Sequence, residues 1–338
     1  MKKQTVFLFL LLMNLSLTVH GQSTITKGEL ITATDRATIF LKQAQTESGA
    51  INDSTNTLFS IWETILVADA LLASDNISAS DTTVQRAVKW LQSSENAQQL
   101  ICHNAECAQS YCIETSSLYV QLLANMSSSD EQQSRLTTIN DLQEKNGSWE
   151  VGNPDVYFKT GFPSVTGFVL NLFDELHFKS SGIDSAYRFL IISQLENGSW
   201  GQGWEYYGCP GYALWQCLPA IKRCSYGKQT FEKGKAYILS TQLPNGSWYA
   251  PEYEGSNHVS AELQTAFMLS CLQEETDERS QIAFHKGISF LLEKQLPNGA
   301  WEGGLFPIPS DRYKKREYLI TTALTYKLLI ATLNDFNE

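Results

Sequence analysis

Along this chain, two kinds of apolar stretch alternate at helical spacing. Segments 59–72, 114–126, 164–176, 212–224, 260–272 and 318–333 are apolar nearly all round. Between them run segments with Lys, Gln and Glu on one side and an aromatic–aliphatic pair on the other, among them Phe40-Leu41, Trp90-Leu91, Phe189-Leu190, Tyr237-Ile238 and Phe290-Leu291. A helix that is apolar all round is buried, and an amphipathic one meets water on one face. The pattern predicts six inner and six outer helices alternating in sequence. Such a set closes into an all-α (α/α)6 barrel, a toroid of six helical hairpins.

The joints between the two kinds of helix repeat a phrase, Q-x-x-x-G-x-W. It begins at Gln143, Gln194, Gln242 and Gln295, in steps of 51, 48 and 53 residues. Regular self-similarity at that period marks a repeat architecture. Two weaker copies share the register. Gln45 leads to Gly49 and to Ile51 in the tryptophan's place, and Glu95 is followed by neither glycine nor tryptophan. Gly in these joints stops a helix, because it accepts the left-handed backbone that ends one. The N-x-S triplets at Asn146, Asn197 and Asn245 read as part of this turn rather than as glycosylation acceptors.

Extended upstream, the phrase reads K/R-G/A-x-x-aromatic-aliphatic-x-x-x-Q-x-x-x-G-x-W, as in Lys233-Gly234…Trp248 and Lys286-Gly287…Trp301. It resembles the QW repeat of the squalene–hopene cyclase and protein prenyltransferase superfamily, over roughly residues 36–333. That resemblance implies the toroid fold, with Gln and Trp bracing adjoining helices, and an isoprenoid or similar apolar ligand. The chemical signatures of the superfamily are absent from this sequence: there is no D-x-D-D acid and no D-x-C zinc element, and the expectation is a barrel without the second helical domain of those cyclases. The resemblance therefore implies no cofactor and no metal.

Residues 1–21 read as a secretory signal, with Lys2 and Lys3 before the apolar run 6–12 and small residues before Gln22. No later stretch is long and apolar enough to cross a membrane. The expectation is a secreted or periplasmic protein whose residues 22–338 form one domain. The whole chain carries a formal charge of −11, which argues against nucleic acid as a partner; the sequence leaves a protein partner open. Export makes disulfides the default for the seven cysteines. Cys102, Cys107 and Cys112 are expected to contain a bridge, its pairing open; a metal site with His103 is the rival reading, and at least one cysteine stays free.

Chemistry is expected at the mouth where the joints meet the inner helices. Loops 151–163, 201–210, 249–259 and 302–317 carry Tyr157, Phe158, Phe162, Trp204, Tyr206, Tyr207, Tyr249, Tyr253, Phe306 and Tyr313. Such rings suit an apolar or sugar-like ligand and stabilise cations. Glu114 and Glu262 occupy matched positions at the starts of opposed inner helices, and His258 stands four residues before Glu262. Glu262 assisted by His258 is the expected proton donor, with Glu114 opposite. Glu63 reads as an acid turned towards an outer helix, the alternative being a general acid in the lumen. The basic run 311–317 reads as a solvated loop, or as an anion site at converging helix N-termini. The functional expectation is a terpene cyclase-like enzyme working by acid-initiated chemistry. The alternatives are a non-catalytic ligand- or partner-binding module and a carbohydrate-active toroid enzyme.

Overall fold

In a computed structural model of the protein, the described residues are 25–53, 59–104, 107, 110–127, 129–152, 161–201, 209–249, 259–306 and 317–336. They form twelve α-helices and one short 3-10 turn at 129–132, and no strand beyond isolated bridges. The outer helices are α1 (Lys27–Gln43), α3 (Thr82–Gln92), α5 (Gln133–Asp141), α7 (Ile183–Ser193), α9 (Lys228–Thr241) and α11 (Glu278–Lys294). The inner ones are α2 (Ser60–Leu72), α4 (Ile113–Met126), α6 (Pro163–Glu175), α8 (Pro210–Arg223), α10 (Ala261–Leu272) and α12 (Leu319–Asp335). Each inner helix packs on the next, and α12 returns to α2, so the ring is closed. The expected (α/α)6 barrel is the fold.

Burial follows the sequence pattern. In α2 every residue from Ser60 to Ala68 is buried, whereas α3 buries only Val84, Ala87, Val88 and Leu91. Each outer helix leans chiefly on the inner helix that precedes it, α3 on α2 and so on round to α1 on α12. The spatial hairpin is therefore inner-then-outer, and the Q-x-x-x-G-x-W joint carries the chain on to the next inner helix.

The joint works as a clasp. Gln242 Nε2 donates to Gly246 O at 3.0 Å within its own turn, and to Ala283 O of the next outer helix at 2.8 Å. Gln45, Gln143, Gln194 and Gln295 make the same pair of bonds. Gln295 reaches Ala33 of α1, so the last clasp closes the ring. Each tryptophan donates its indole N–H back to the helix just left, as Trp248 does to Ile238 O at 2.8 Å. The backbone N–H of Trp149, Trp248 and Trp301 goes forward to an inner-helix hydroxyl, for Trp248 to Thr265 Oγ1 at 3.0 Å. Gly246 has φ +88, and a Cβ there would stand 2.3 Å from Lys286 O. Glycine is thus required both by conformation and by the closeness of the next helix. The asparagines read as turn residues hold the same turn: Asn245 Oδ1 accepts from Ser247 N and Oγ.

The degenerate second repeat keeps this geometry with other side chains. Gln99 takes the glycine's place at φ 60, and Ile101 takes the tryptophan's, its N–H bonded to Ser116 Oγ at 3.1 Å. Glu95 replaces the clasping glutamine by accepting from Arg135 Nη2 of α5 at 2.6 Å and from the Tyr119 hydroxyl. The expected bridge is Cys102–Cys107, which leaves Cys112 reduced and buried. Two of the proposed metal ligands are consumed by that bond, so the metal reading falls. No helix among the described residues is long and apolar enough to cross a membrane. Residues 1–24, with the expected signal, lie outside the described residues.

Candidate functional site

The inner helices meet across the ring through aromatic side chains. Trp62 of α2 faces Tyr212 of α8, the opposite helix, with ring centroids 6.3 Å apart. Tyr212 also packs on Phe267 of α10 at 5.7 Å, Phe168 of α6 at 6.3 Å and Trp215 at 6.2 Å. Phe306, from the loop before α12, closes on Trp62 at 5.9 Å and on Phe267 at 6.0 Å. Trp62, Tyr212, Phe267, Phe306 and Phe168 are all at most 3% exposed, so the lumen holds a layer of stacked rings. Aromatic faces carry negative potential, and several facing one space stabilise a cation held there.

Three carboxylates surround this layer. Glu114, the second residue of α4, is 7% exposed and accepts a hydrogen bond from the Tyr212 hydroxyl. Burial pushes its carboxyl up to about 7, against the lowering effect of that bond. Glu317 lies just before α12 and caps it: Thr321 N and Oγ1 donate to Oε2 at 3.1 and 2.6 Å, and Ile320 N donates to Oε1. Burial raises it, too, to about 7. Its backbone ties the loop to the barrel, with Gly303 N donating to Glu317 O at 2.6 Å.

Glu63 stands in the first turn of α2 and is 5% exposed. Burial holds its carboxyl well above the ordinary value, and the nearby Glu317 and Asp53 carboxylates push the same way. The Asp53 N–H donates to it, yet its Oε2 is buried without a hydrogen-bond partner among the described residues. Its neighbour Trp62 has an indole N–H in the same condition, as has Asn52 Oδ1 in the loop entering α2. Buried polar atoms are nearly always satisfied. Three orphans on one loop–helix junction mark a place where a polar group from outside the chain would find partners. Of the two sequence readings of Glu63, the acid turned to an outer helix and bonded to a backbone or lysine group accounts for the Asp53 contact alone.

The other sequence-assigned residues distribute unevenly. Glu262 is the second residue of α10, matching Glu114 as expected, but it is half-buried and makes no hydrogen bond or ion pair among the described residues. The structure does not join it to Glu114, whose partner comes from α8. Phe162 is the N-cap residue of α6, half-buried against the core, and Tyr249 is 47% exposed. His258, Tyr157, Phe158, Trp204, Tyr206, Tyr207, Tyr253 and Tyr313 lie outside the described residues. Glu317 escaped the sequence reading because it ends a basic run, and Tyr212 because it reads as one more apolar ring in an inner helix.

Residues 164–311 match the squalene-hopene cyclase C-terminal domain family. The chain is 29% identical over 136 residues to lanosterol synthase of Candida albicans (strain SC5314 / ATCC MYA-2876), covering 36% of this chain and 17% of that one. It is 27% identical over 132 residues to alpha-onocerin synthase of Lycopodium clavatum, with the same coverage of 36% and 17%. The chain thus aligns with about a sixth of the length of these curated relatives. Among solved structures it is similar to a variant of the type II terpene cyclase MstE from Scytonema in complex with its substrate geranylgeranyl dihydroxybenzoate. There the TM-score is 0.71 at 19% identity, covering 91% of this chain and 98% of that one.

Proposed function

We propose, for a chain that belongs to the terpene cyclase superfamily, acid-initiated cyclisation of an isoprenoid or similar apolar polyene, with Glu63 as the proton source. The observation that carries this is the buried, partner-lacking Oε2 of Glu63 beside the ring layer. The chain has no D-x-D-D run, so an acid from elsewhere in the barrel must serve. Burial and two neighbouring carboxylates favour the protonated form of this carboxyl, which can deliver its proton to a weak base.

The step balances simply. The Glu63 O–H bond breaks as a C–H bond forms at one carbon of a terminal alkene, which leaves a tertiary cation. The next alkene's π electrons close a C–C bond onto that cation, and loss of a proton or capture of water ends the sequence. Trp62, Tyr212, Phe267 and Phe306 stabilise the travelling charge. Glu63 regains its proton from solvent through the Glu317–Asp53 side. Glu114, bonded to Tyr212, orients that ring, and Glu262 belongs to the entrance. In this reading the protein is exported, as residues 1–21 suggest.

The test is incubation of the purified protein with squalene and with geranylgeraniol, followed by mass spectrometry. Cyclic products of unchanged or water-added mass are expected. Glu63→Gln should lower turnover by a factor of about 10²–10⁴ with substrate binding retained. Loss of turnover in Glu262→Gln but not in Glu63→Gln would move the acid to the start of α10. Binding without product in the parent protein would make the barrel a binding module.

A further inference from the structure

At the other end of the ring, beneath the aromatic layer, a cavity of about 230 Å³ opens between the inner helices. All six inner helices contribute to its lining, well away from the loops of the mouth. Its wall on one side is Trp215 and Phe168, whose rings pack edge to face at 5.4 Å. The remaining wall mixes leucines of α2, α4 and α12 with planar amides and charges: Gln121, Asn171, Gln216, Glu175, and the ion-paired Lys327 and Arg223.

We propose that this distal cavity is a binding site for a neutral polyhydroxylated ligand of monosaccharide size. Both cations there are paired, Lys327 with Asp69 and Arg223 with Asp174 at 2.9 Å, and the Glu175 carboxylate accepts from Gln121 Nε2 at 2.5 Å. An anionic ligand would have to break one of those pairs and face Glu175, and a neutral one would not. Several polar groups are nonetheless left with capacity. Gln216 is only 6% exposed, and its Oε1 accepts from Asn171 Nδ2 at 2.9 Å. Its Nε2, however, donates to nothing among the described residues, in a side chain that lines the cavity. Gln121 spends its Nε2 on Glu175 at 2.5 Å and keeps its carbonyl oxygen. Pro219 has no N–H to offer the carbonyl of Trp215 one turn earlier, so that acceptor also lacks its helical donor.

A half-buried indole beside planar amide and carboxylate groups suits a sugar. The ring's C–H face lies on the aromatic surface, and adjacent hydroxyls, each donor and acceptor, bridge amide edges. The volume falls below the roughly 300–1,000 Å³ of drug-sized sites, so a single ring unit is the fit rather than a polyene.

The experiment is calorimetric titration of the full chain, without isoprenoid, using methyl glucoside, methyl galactoside, N-acetylglucosamine and myo-inositol. Glucosamine and glucose 6-phosphate serve as charged controls. Saturable binding of at least one neutral probe is expected. Gln121→Ala, at the half-exposed rim, and Gln216→Ala should each weaken it at least about fivefold, the worth of one hydrogen bond. Glu63→Gln should leave it unchanged, which separates this site from the proposed catalytic one. No saturation by any neutral probe up to about 20 mM, where even millimolar affinity shows, would overturn the proposal. Tighter binding of the charged controls, or unaltered affinity in Gln121→Ala, would do the same.

Discussion

Glu114 and Glu262 occupy the same step of two opposed inner helices, yet their surroundings differ. Glu114 meets the Tyr212 hydroxyl in a buried space, whereas Glu262 is half-buried and unbonded among the described residues. Register in sequence fixes position along a helix; it does not fix what the helix two places round the ring sends across. Glu63 shows the same limit. Its environment is made by α12 closing on α2 and by Glu317, more than two hundred residues away in sequence. A pH measurement tests these environments. Glu114 ordinarily titrates near 4.5 and is raised to about 7 in the fold, so the native state holds a proton that the unfolded chain releases. The stability this group contributes is complete below about pH 4.5 and is lost as pH rises through about 7. Glu317 acts in the same window. Parent protein should therefore lose on the order of 1–3 kcal/mol per such group across that range. In denaturant titrations at several pH values, Glu114→Gln should show a shallower decline. An unchanged slope would mean that Glu114 is ionised in the fold.

At the scale of the element, the joint was the most legible part of the sequence, because one residue type at each position has a separate physical duty. Glutamine spans two helices, glycine takes the left-handed turn beside a carbonyl, and tryptophan ties the turn to both helices it joins. The second repeat shows that the duty survives a change of residue, which the motif alone conceals: Gln99 still takes φ 60 and Glu95 still reaches the next outer helix. Two opposite substitutions test this. Gly246→Ala must accept both a disfavoured conformation and a 2.3 Å approach to Lys286 O, and should destabilise by about 2–4 kcal/mol. Gln99→Gly relieves a left-handed glutamine and should stabilise by about 0.5–1 kcal/mol. Trp248→Ala removes a side chain that is 1% exposed and should cost about 3–5 kcal/mol. Chemical denaturation of the three variants measures all of these, and a stabilised Gly246→Ala would contradict the clasp geometry.

For the whole molecule, closure decides behaviour. Stacked repeats normally interact only with neighbours, and their terminal units fray first. Here α1 is terminal in sequence but not in space. It lies on α12, Gln295 Nε2 donates to Ala33 O at 2.8 Å, and Arg36 Nη2 donates to Leu296 O at 2.5 Å. Those two bonds, one from each partner, tie the last joint to α1 through side chains. If closure protects α1, the double variant Gln295→Ala/Arg36→Ala should raise amide hydrogen exchange selectively in Lys27–Gln43 and in the buried face of α12. The control is Gln242→Ala, which removes an equivalent clasp inside the ring. It should cost a similar 1–2 kcal/mol or so of global stability, yet the helices it joins stay held from both sides, so their exchange should rise only in step with the global loss. Equal, uniform exchange in both variants would mean that the barrel opens as one cooperative unit, with no weaker seam between its first and last repeats.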